Sequence, residues 1–397
     1  MIELTGKYNF AKIFTDNVED VALKQINDLL NEEFTKESTI RIMPDTHAGA
    51  GCTIGTTMTI HDKVVPYMVG VDIGCGMETV ILNEKSIDLA KLDNVIHKRI
   101  PSGMEVRDIA HEMALSTNIH KLRCEEFINS DRAYRSVGTL GGGNHFIEVN
   151  KDDSGILYLV IHSGSRYLGK QIADHYQREA IEYHKRDRRT AQKVIDELKK
   201  EGKEKEIQKT LKKMQKNVVN STMSWLEGEL FDDYIHDMDI AQEYADINRK
   251  CMVNEIIDGM GLEIVDSFST IHNYIDIKNR ILRKGAISAR KGERVLIPIN
   301  MRDGSLMCTG KGNVDWNQSA PHGAGRLMSR TAARKNITLD EFEKSMKGIY
   351  SSTINSSTID EAPFAYKPMD EIVENIKDTV VVDKILHPIY NFKASEQ

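Results

Sequence analysis

Three apolar runs, each leading into a knot of glycine and ionisable residues, constrain this chain more than any other feature. They are Val64–Val71 (VVPYMVGV), Ile156–Ile161 (ILYLVI) and Val295–Ile299 (VLIPI). Runs of this length bounded by turn residues read as buried strands. Strand ends in α/β proteins are where ligands bind, so the knots are the places to look for chemistry. Pro66 and Pro298 cannot donate to a ladder, which puts the first and third runs at sheet edges or irregularities.

Between the runs the period changes. Asn17 to Phe34 reads as an amphipathic helix with Val18, Val21, Ala22, Ile26, Leu29 and Leu30 on one face. From Gly169 to Asn217 the pattern is helical, polar and Lys-rich, interrupted at Gly202, and reads as a helical hairpin. Tyr234 to Asp258 reads as a further helix. There is no internal repeat and no low-complexity linker. The expected fold is therefore α/β, in the mixed α+β sense, with one large domain over 1–397 and a helical insertion at 169–217. At 397 residues and 40% hydrophobic content, the chain has enough apolar side chains for such a core. No stretch approaches the roughly 18 apolar residues of a membrane span. The N-terminus lacks the pattern of a secretory signal, so a cytoplasmic location with no membrane partner is expected. Five cysteines without a CxxC pair argue for reduced thiols, one of which could be a metal ligand. The net charge is −7, yet residues 185–216 carry 13 Lys and Arg against 6 Asp and Glu. A basic segment on an acidic body suits contact with phosphate, although charged helices are often simply solvated.

Four knots combine glycine with metal-grade side chains. GVDIGCG (Gly70 to Gly76) holds Asp72 and Cys75, and GTLGGGNHFIE (Gly138 to Glu148) holds Asn144, His145 and Glu148. HSGSR (His162 to Arg166) and His272–Asn273 complete the set. One carboxylate, one thiolate and three imidazoles form a coherent ligand group, and a mixed O, N, S set suits catalytic metal better than structural zinc. A pair of cations roughly 3.5–4 Å apart serves in-line displacement at phosphorus. Each position alone equally fits a turn glycine, a core histidine or a buried thiol, so these residues by themselves leave both readings open.

A fifth knot, SAPHGAGRLMSR (Ser319 to Arg330), carries His322. With it, the elements DIGCG, GNHFxE, HSGSR, AQxYAxxNR (Ala241 to Arg249), HN and HGAGR occur in one order between PDTHAGAGCTIG (Pro44 to Gly55) and DEAPFAYK (Asp360 to Lys367). This array resembles the RtcB family of tRNA-splicing and RNA-repair ligases. The resemblance implies a GTP- and Mn²⁺-dependent enzyme joining RNA 3′-phosphate or 2′,3′-cyclic phosphate ends to 5′-hydroxyl ends through a histidine–GMP intermediate. It implies two Mn²⁺ ions, one on Asp72, Cys75 and His145, the other on Cys75, His162 and His272. His322 matches the guanylylated histidine. The implied GTP pocket comprises Asn144, His145, Glu148, His272, Asn273, Asn300, Ser305, His322, Gly323, Ala324, Gly325, Tyr366 and Lys393. The implied partners are broken RNA ends or tRNA halves, GTP and an archease-like activator protein.

The chemistry agrees with these assignments. Neutral imidazole is a nucleophile that needs no separate base, and a cation on the α-phosphate makes it electrophilic. A glutamate such as Glu148 can accept the N1–H and N2–H donors of guanine together, while Lys393 could donate to O6 and Arg326 could pair with a phosphate. GSRYLGK (Gly164 to Lys170) fits seven positions of a P-loop, but Gln171 stands where Ser or Thr must hold Mg²⁺. No K-x-D-G element of a lysine nucleotidyl ligase occurs. The chain departs from the family pattern at Ile299 and Asn300, where Gly-Ser is usual, and at Tyr167, where Gly usually follows HSGSR. These changes fall on the nucleotide pocket and its rim, not on the metal ligands. Two alternatives compete: an RNA end-capping or repair nucleotidyltransferase, and a dinuclear metal-dependent phosphoesterase that does not use GTP.

Overall fold

The computed structural model describes residues 1–200, 203, 206 and 221–394, with backbone alone for 186–194, 197 and 221. In chain order the described strands are β1 (Ile2–Thr5), β2 (Phe10–Ile13), β3 (Ile40–His47), β4 (Ile54–Thr59), β5 (Lys63–Val64), β6 (Gly76–Leu82), β7 (Phe146–Lys151), β8 (Leu157–Ser163), β9 (Leu226–Glu227), β10 (Ile264–Ile271), β11 (Asn273–Asp276), β12 (Ile281–Lys284), β13 (Ala286–Ser288), β14 (Arg294–Asn300), β15 (Gly304–Gly310), β16 (Ser319–Pro321) and β17 (Val380–Lys393). Two main sheets result, ordered β1-β2-β3-β4-β12-β11 and β10-β6-β8-β7-β17-β15-β14. Only β2 and β3 pair in parallel within them. The fold is mixed α/β, as expected.

Two of the three apolar runs are strands. Ile156–Ile161 enters β8 at Leu157, and that strand is buried along its length between β6 and β7. Val295–Ile299 lies in β14, an edge strand whose register shifts just after Pro298. Val64–Val71 corrects the expectation: after the two-residue β5, Pro66 opens a helical turn, Pro66–Val69, ended by Gly70 at φ 103°. Proline at the first helical position loses no needed N–H, and an apolar run alone cannot separate a buried strand from a buried turn of helix.

The helices obey their periodicity with shifted ends. The first runs Asp20–Leu30 and buries Ala22, Ile26, Leu29 and Leu30, whereas Val21 points outward and Val18 precedes the helix. The Lys-rich segment begins as one long helix, Arg166–Lys200. Its expected return arm lies outside the described residues. Glu229–Met260 contains the anticipated Tyr234–Asp258 helix and packs on the helices Leu89–Arg99 and Arg166–Lys200 and on β8. No helix among the described residues is long and apolar enough to cross a membrane.

Candidate active site

Register gathers the knots. In antiparallel pairs the start of one strand meets the end of the next. Gly76 opens β6 opposite Ser163 closing β8, Phe146 opens β7 opposite His162, and Ile271 closes β10 opposite Gly76. Cys75, His145, His162 and His272 therefore converge at one end of the seven-stranded sheet, although up to about 200 residues separate them. His272 sits where the chain leaves β10 in one sheet and enters β11 in the other. β16 pairs with β13 and delivers His322 beside it. Along the row His145, His162, His272, His322, neighbouring ring centroids are 5.3, 5.1 and 4.8 Å apart.

The donor atoms face one another. Cys75 Sγ is 3.4 Å from His145 Nε2 and 3.3 Å from His162 Nε2. Asp72 Oδ2 is 2.9 Å from His145 Nε2, and His162 Nε2 is 3.4 Å from His272 Nε2. Asp72, Cys75 and His145 form one group of donors within 4.8 Å of one another, and Cys75, His162 and His272 form a second. A Cβ on Gly164 would sit 2.2 Å from the Asp72 carboxylate, so only glycine leaves that side chain its place.

These donors fit a metal. His145 Nδ1 lies 2.9 Å from the Leu140 carbonyl and His162 Nδ1 lies 3.1 Å from the Asn144 carbonyl. Each ring therefore carries its proton on Nδ1 and turns the Nε2 lone pair inward, the arrangement metal-binding histidines adopt. Asp72 Oδ1 and His272 Nδ1 are buried without a hydrogen-bond partner. A knot of lone pairs with so few protons is electrostatically incomplete, and a cation completes it. Burial pushes the His162 and His272 imidazoles well below their ordinary range, with neighbouring histidines adding to the effect. Burial likewise raises the Cys75 thiol. Burial opposes ionisation of Asp72, but hydrogen bonding and charge from His145, with Arg166 nearby, bring its carboxyl down to about 2.

The glycine loops are stapled from behind by Glu229–Met260. Asn248 Oδ1 accepts from the N–H groups of Gly138 (2.8 Å) and Thr139 (3.1 Å), and its amide donates to the Gly164 carbonyl at 3.1 Å. Arg249, fully buried, donates to the carbonyls of Gly74 (2.8 Å) and Ser163 (3.0 Å). Three ligand-bearing loops thus hang on two adjacent side chains.

A cavity of about 220 Å³ opens on His162, His272 and His322. Of the residues expected at a nucleotide, Asn144, Glu148, His272, Asn300, His322, Gly323, Ala324, Gly325, Tyr366 and Lys393 line it. His145 stays within the donor cluster, and Asn273 is spent on the Asp72 carbonyl and the Gly285 N–H. Ser305 is wholly buried in β15, away from the cavity wall. Gly325 has φ 77°, and a Cβ there would lie 2.4 Å from the Asp45 carbonyl oxygen.

Several side chains play parts the sequence did not reveal. Asp45, fully buried in β3, holds His322 twice through Oδ2: Nδ1 at 2.6 Å and the backbone N–H at 3.1 Å. His47 also lines the cavity. Arg326 donates to the Met328 carbonyl (3.0 Å), Glu361 (3.2 Å), Tyr366 Oη (3.3 Å) and the Asp360 carbonyl, so it braces the wall rather than waiting for a phosphate. Glu361 also pairs with Lys393 and accepts from Tyr366 at 2.5 Å. Burial alone would raise its carboxyl, but the cations Lys393, Arg326 and Arg330 bring it to about 2. Glu148 accepts from Asn150 (2.8 Å) and Asn391 (2.7 Å), and burial still lifts its carboxyl to about 7. The departures from the family pattern have local reasons. Ile299 is buried in the core of the β14–β15 unit, and Asn300 Oδ1 caps the hairpin through the N–H groups of Arg302 and Asp303.

Fold and site together define a mixed α/β protein with a buried, metal-fitting donor cluster beside a cavity holding a braced histidine. The family model described as tRNA-splicing ligase RtcB matches residues 30–127 and 117–394. The RNA-splicing ligase RtcB of Escherichia coli (strain K12) is 30% identical over 394 residues, covering 89% of this chain and 90% of that protein. The tRNA-splicing ligase RtcB of Aeropyrum pernix is 27% identical over 419 residues, covering 84% and 83%. The chain belongs to the RtcB family of ligases.

Proposed function

We propose that this RNA ligase uses GTP and two Mn²⁺ ions to join an RNA 3′-phosphate, or a 2′,3′-cyclic phosphate, to a 5′-hydroxyl through GMP carried on His322. The observation that carries this reading is the Asp45–His322 pair opening into the same cavity as His162, His272 and Glu148. Asp45 accepts a hydrogen bond from Nδ1–H, which leaves Nε2 as the free nucleophilic atom and stabilises the positive charge the ring gains on attack. Attack of Nε2 on the α-phosphate of GTP forms the P–N bond and releases pyrophosphate. The RNA 3′-phosphate then takes the GMP, and the 5′-hydroxyl displaces it as the new phosphodiester forms. Asp72, Cys75, His145, His162 and His272 would hold the metal ions, which when bound polarise phosphoryl oxygens and offset charge as displacement proceeds. Glu148 supplies a carboxylate for the guanine edge, and Lys393 and Asn144 line the same pocket.

The reading is tested by ligation of two defined strands. With GTP and Mn²⁺, a 3′-phosphate strand should join a 5′-hydroxyl strand, a 3′-hydroxyl strand should not, and ATP should not replace GTP. Joining without GTP, or phosphate release without joining, would favour the phosphoesterase alternative. An archease-like activator protein and the cytoplasm as the place of action belong to the same proposal.

A further inference from the structure

β17 and β7 pair antiparallel, with Asn391 opposite Glu148 and Lys393 opposite Phe146. Residues two apart on a strand share a face, and all four side chains stand in the wall of the cavity beside His322. The Asn391 amide donates to Glu148 Oε2 at 2.7 Å, and Asn150 donates to Oε1 at 2.8 Å. An ionised carboxylate offers about four lone-pair sites, so Glu148 keeps room for donors from a ligand. The carboxylate also fixes the Asn391 amide, because an amide oxygen turned towards it would be repelled. Asn391 Oδ1 is then left buried without a hydrogen-bond partner among the described residues, on a side chain whose residue is only 1% exposed. Asn150 Oδ1 is orphaned as well, but Asn150 does not line the cavity. Lys393, by contrast, is already paired with Glu361.

A buried acceptor without a donor is costly, and so is a base N–H taken out of water without an acceptor. The edge of guanine that faces a carboxylate carries N1–H and a 2-amino group with two hydrogens. Glu148 can accept N1–H and the amino hydrogen next to it, which leaves the other amino hydrogen unheld. We propose that Asn391 Oδ1 accepts that hydrogen and that Asn391 is thereby a specificity-determining residue for the nucleobase. The proposal rests on the GTP reading for the identity of the ligand, and it adds a residue that the family resemblance does not place in the pocket. An orphan acceptor in the wall meets an orphan donor on the base. Gripped from both sides, the amino group cannot be lost, as in inosine, without leaving buried acceptors unpaired. Nor can it carry a single methyl group without giving up one of its two bonds, whichever way the methyl turns.

The test is isothermal titration calorimetry of the whole protein, in the presence of Mn²⁺, with GMP, IMP and N2-methyl-GMP, none of which carries a pyrophosphate to lose. The unaltered protein should bind GMP about tenfold or more tighter than IMP, and about fivefold or more tighter than N2-methyl-GMP. Asn391→Ala removes the acceptor and makes room for the methyl group, so its preference for GMP over N2-methyl-GMP should fall to about twofold or less. If Glu148 alone held the amino group, the methyl would turn to the free side, and the unaltered protein would bind GMP and N2-methyl-GMP alike. That result overturns the assignment without any variant. Equal binding of GMP and IMP, the same loss of GMP and N2-methyl-GMP in Asn391→Ala, or no binding of GMP at all would overturn it too. Guanylylation of the unaltered protein by GTP tests the ligase reading separately. Discrimination without labelling overturns that reading alone, and labelling without discrimination overturns the role of Asn391 alone.

Discussion

Individual side chains carry opposite demands in this site. Cys75 belongs to both donor groups, whereas Asp72 belongs to one. Cys75→Ala should therefore abolish tight binding of both Mn²⁺ ions, and Asp72→Ala mainly one, measured by metal analysis after dialysis. Zn²⁺ should displace Mn²⁺ from thiolate and imidazole ligands and inhibit, as the Irving–Williams order requires. Two ions retained by Cys75→Ala would contradict a shared thiolate. Glu148 gives a pH dependence. Its carboxyl is raised to about 7, so the folded protein holds this proton more tightly than the unfolded chain. The group costs nothing below about pH 4.5 and destabilises increasingly as pH rises towards 7, by an amount on the order of 3 kcal/mol. Unfolding at pH 5 and pH 8 should show this loss in the unaltered protein and less of it in Glu148→Gln, which should also label poorly with GTP. Asp45 was hidden because nothing near it in sequence signals its partner, 277 positions away.

At the scale of elements, glycine and ionisable residues at the ends of apolar runs made most of the site legible, because strand ends expose loops. Which ends lie together was not legible from the runs themselves, since register is set by pairing across long separations. The same limit hid the role of Asn248 and Arg249, which appear in sequence as one motif inside a helix. Arg249→Met should leave the Gly74 and Ser163 carbonyls buried without a donor, at about 1–3 kcal/mol for each. Denaturant unfolding should report that loss, and Mn²⁺ affinity should fall although no ligand has changed. Unaltered stability and metal binding would show that the loops stand without the staple. Val64–Val71 was misread for a different reason: Pro66 can open a helical turn as easily as it can interrupt a strand.

For the whole molecule, the basic segment at 185–216 concentrates positive charge on an otherwise acidic chain. Lys199 and Lys200 are exposed at the end of the helix Arg166–Lys200, while Lys212 and Lys213 lie outside the described residues. If the segment contacts RNA, neutralising all four should flatten the log–log salt dependence of binding by roughly 0.7 per lost contact. An unchanged slope would assign them to solvation. The central claim concerns His322, where both sheets, the donor cluster and the cavity meet. It is tested most directly by peptide mass spectrometry of protein treated with GTP and Mn²⁺ and no RNA. A GMP adduct on His322 is predicted, stable to alkali and labile to acid, absent in His322→Ala and formed roughly a hundredfold or more slowly in Asp45→Ala. GMP on another residue, or on none at saturating GTP and Mn²⁺, would contradict the account.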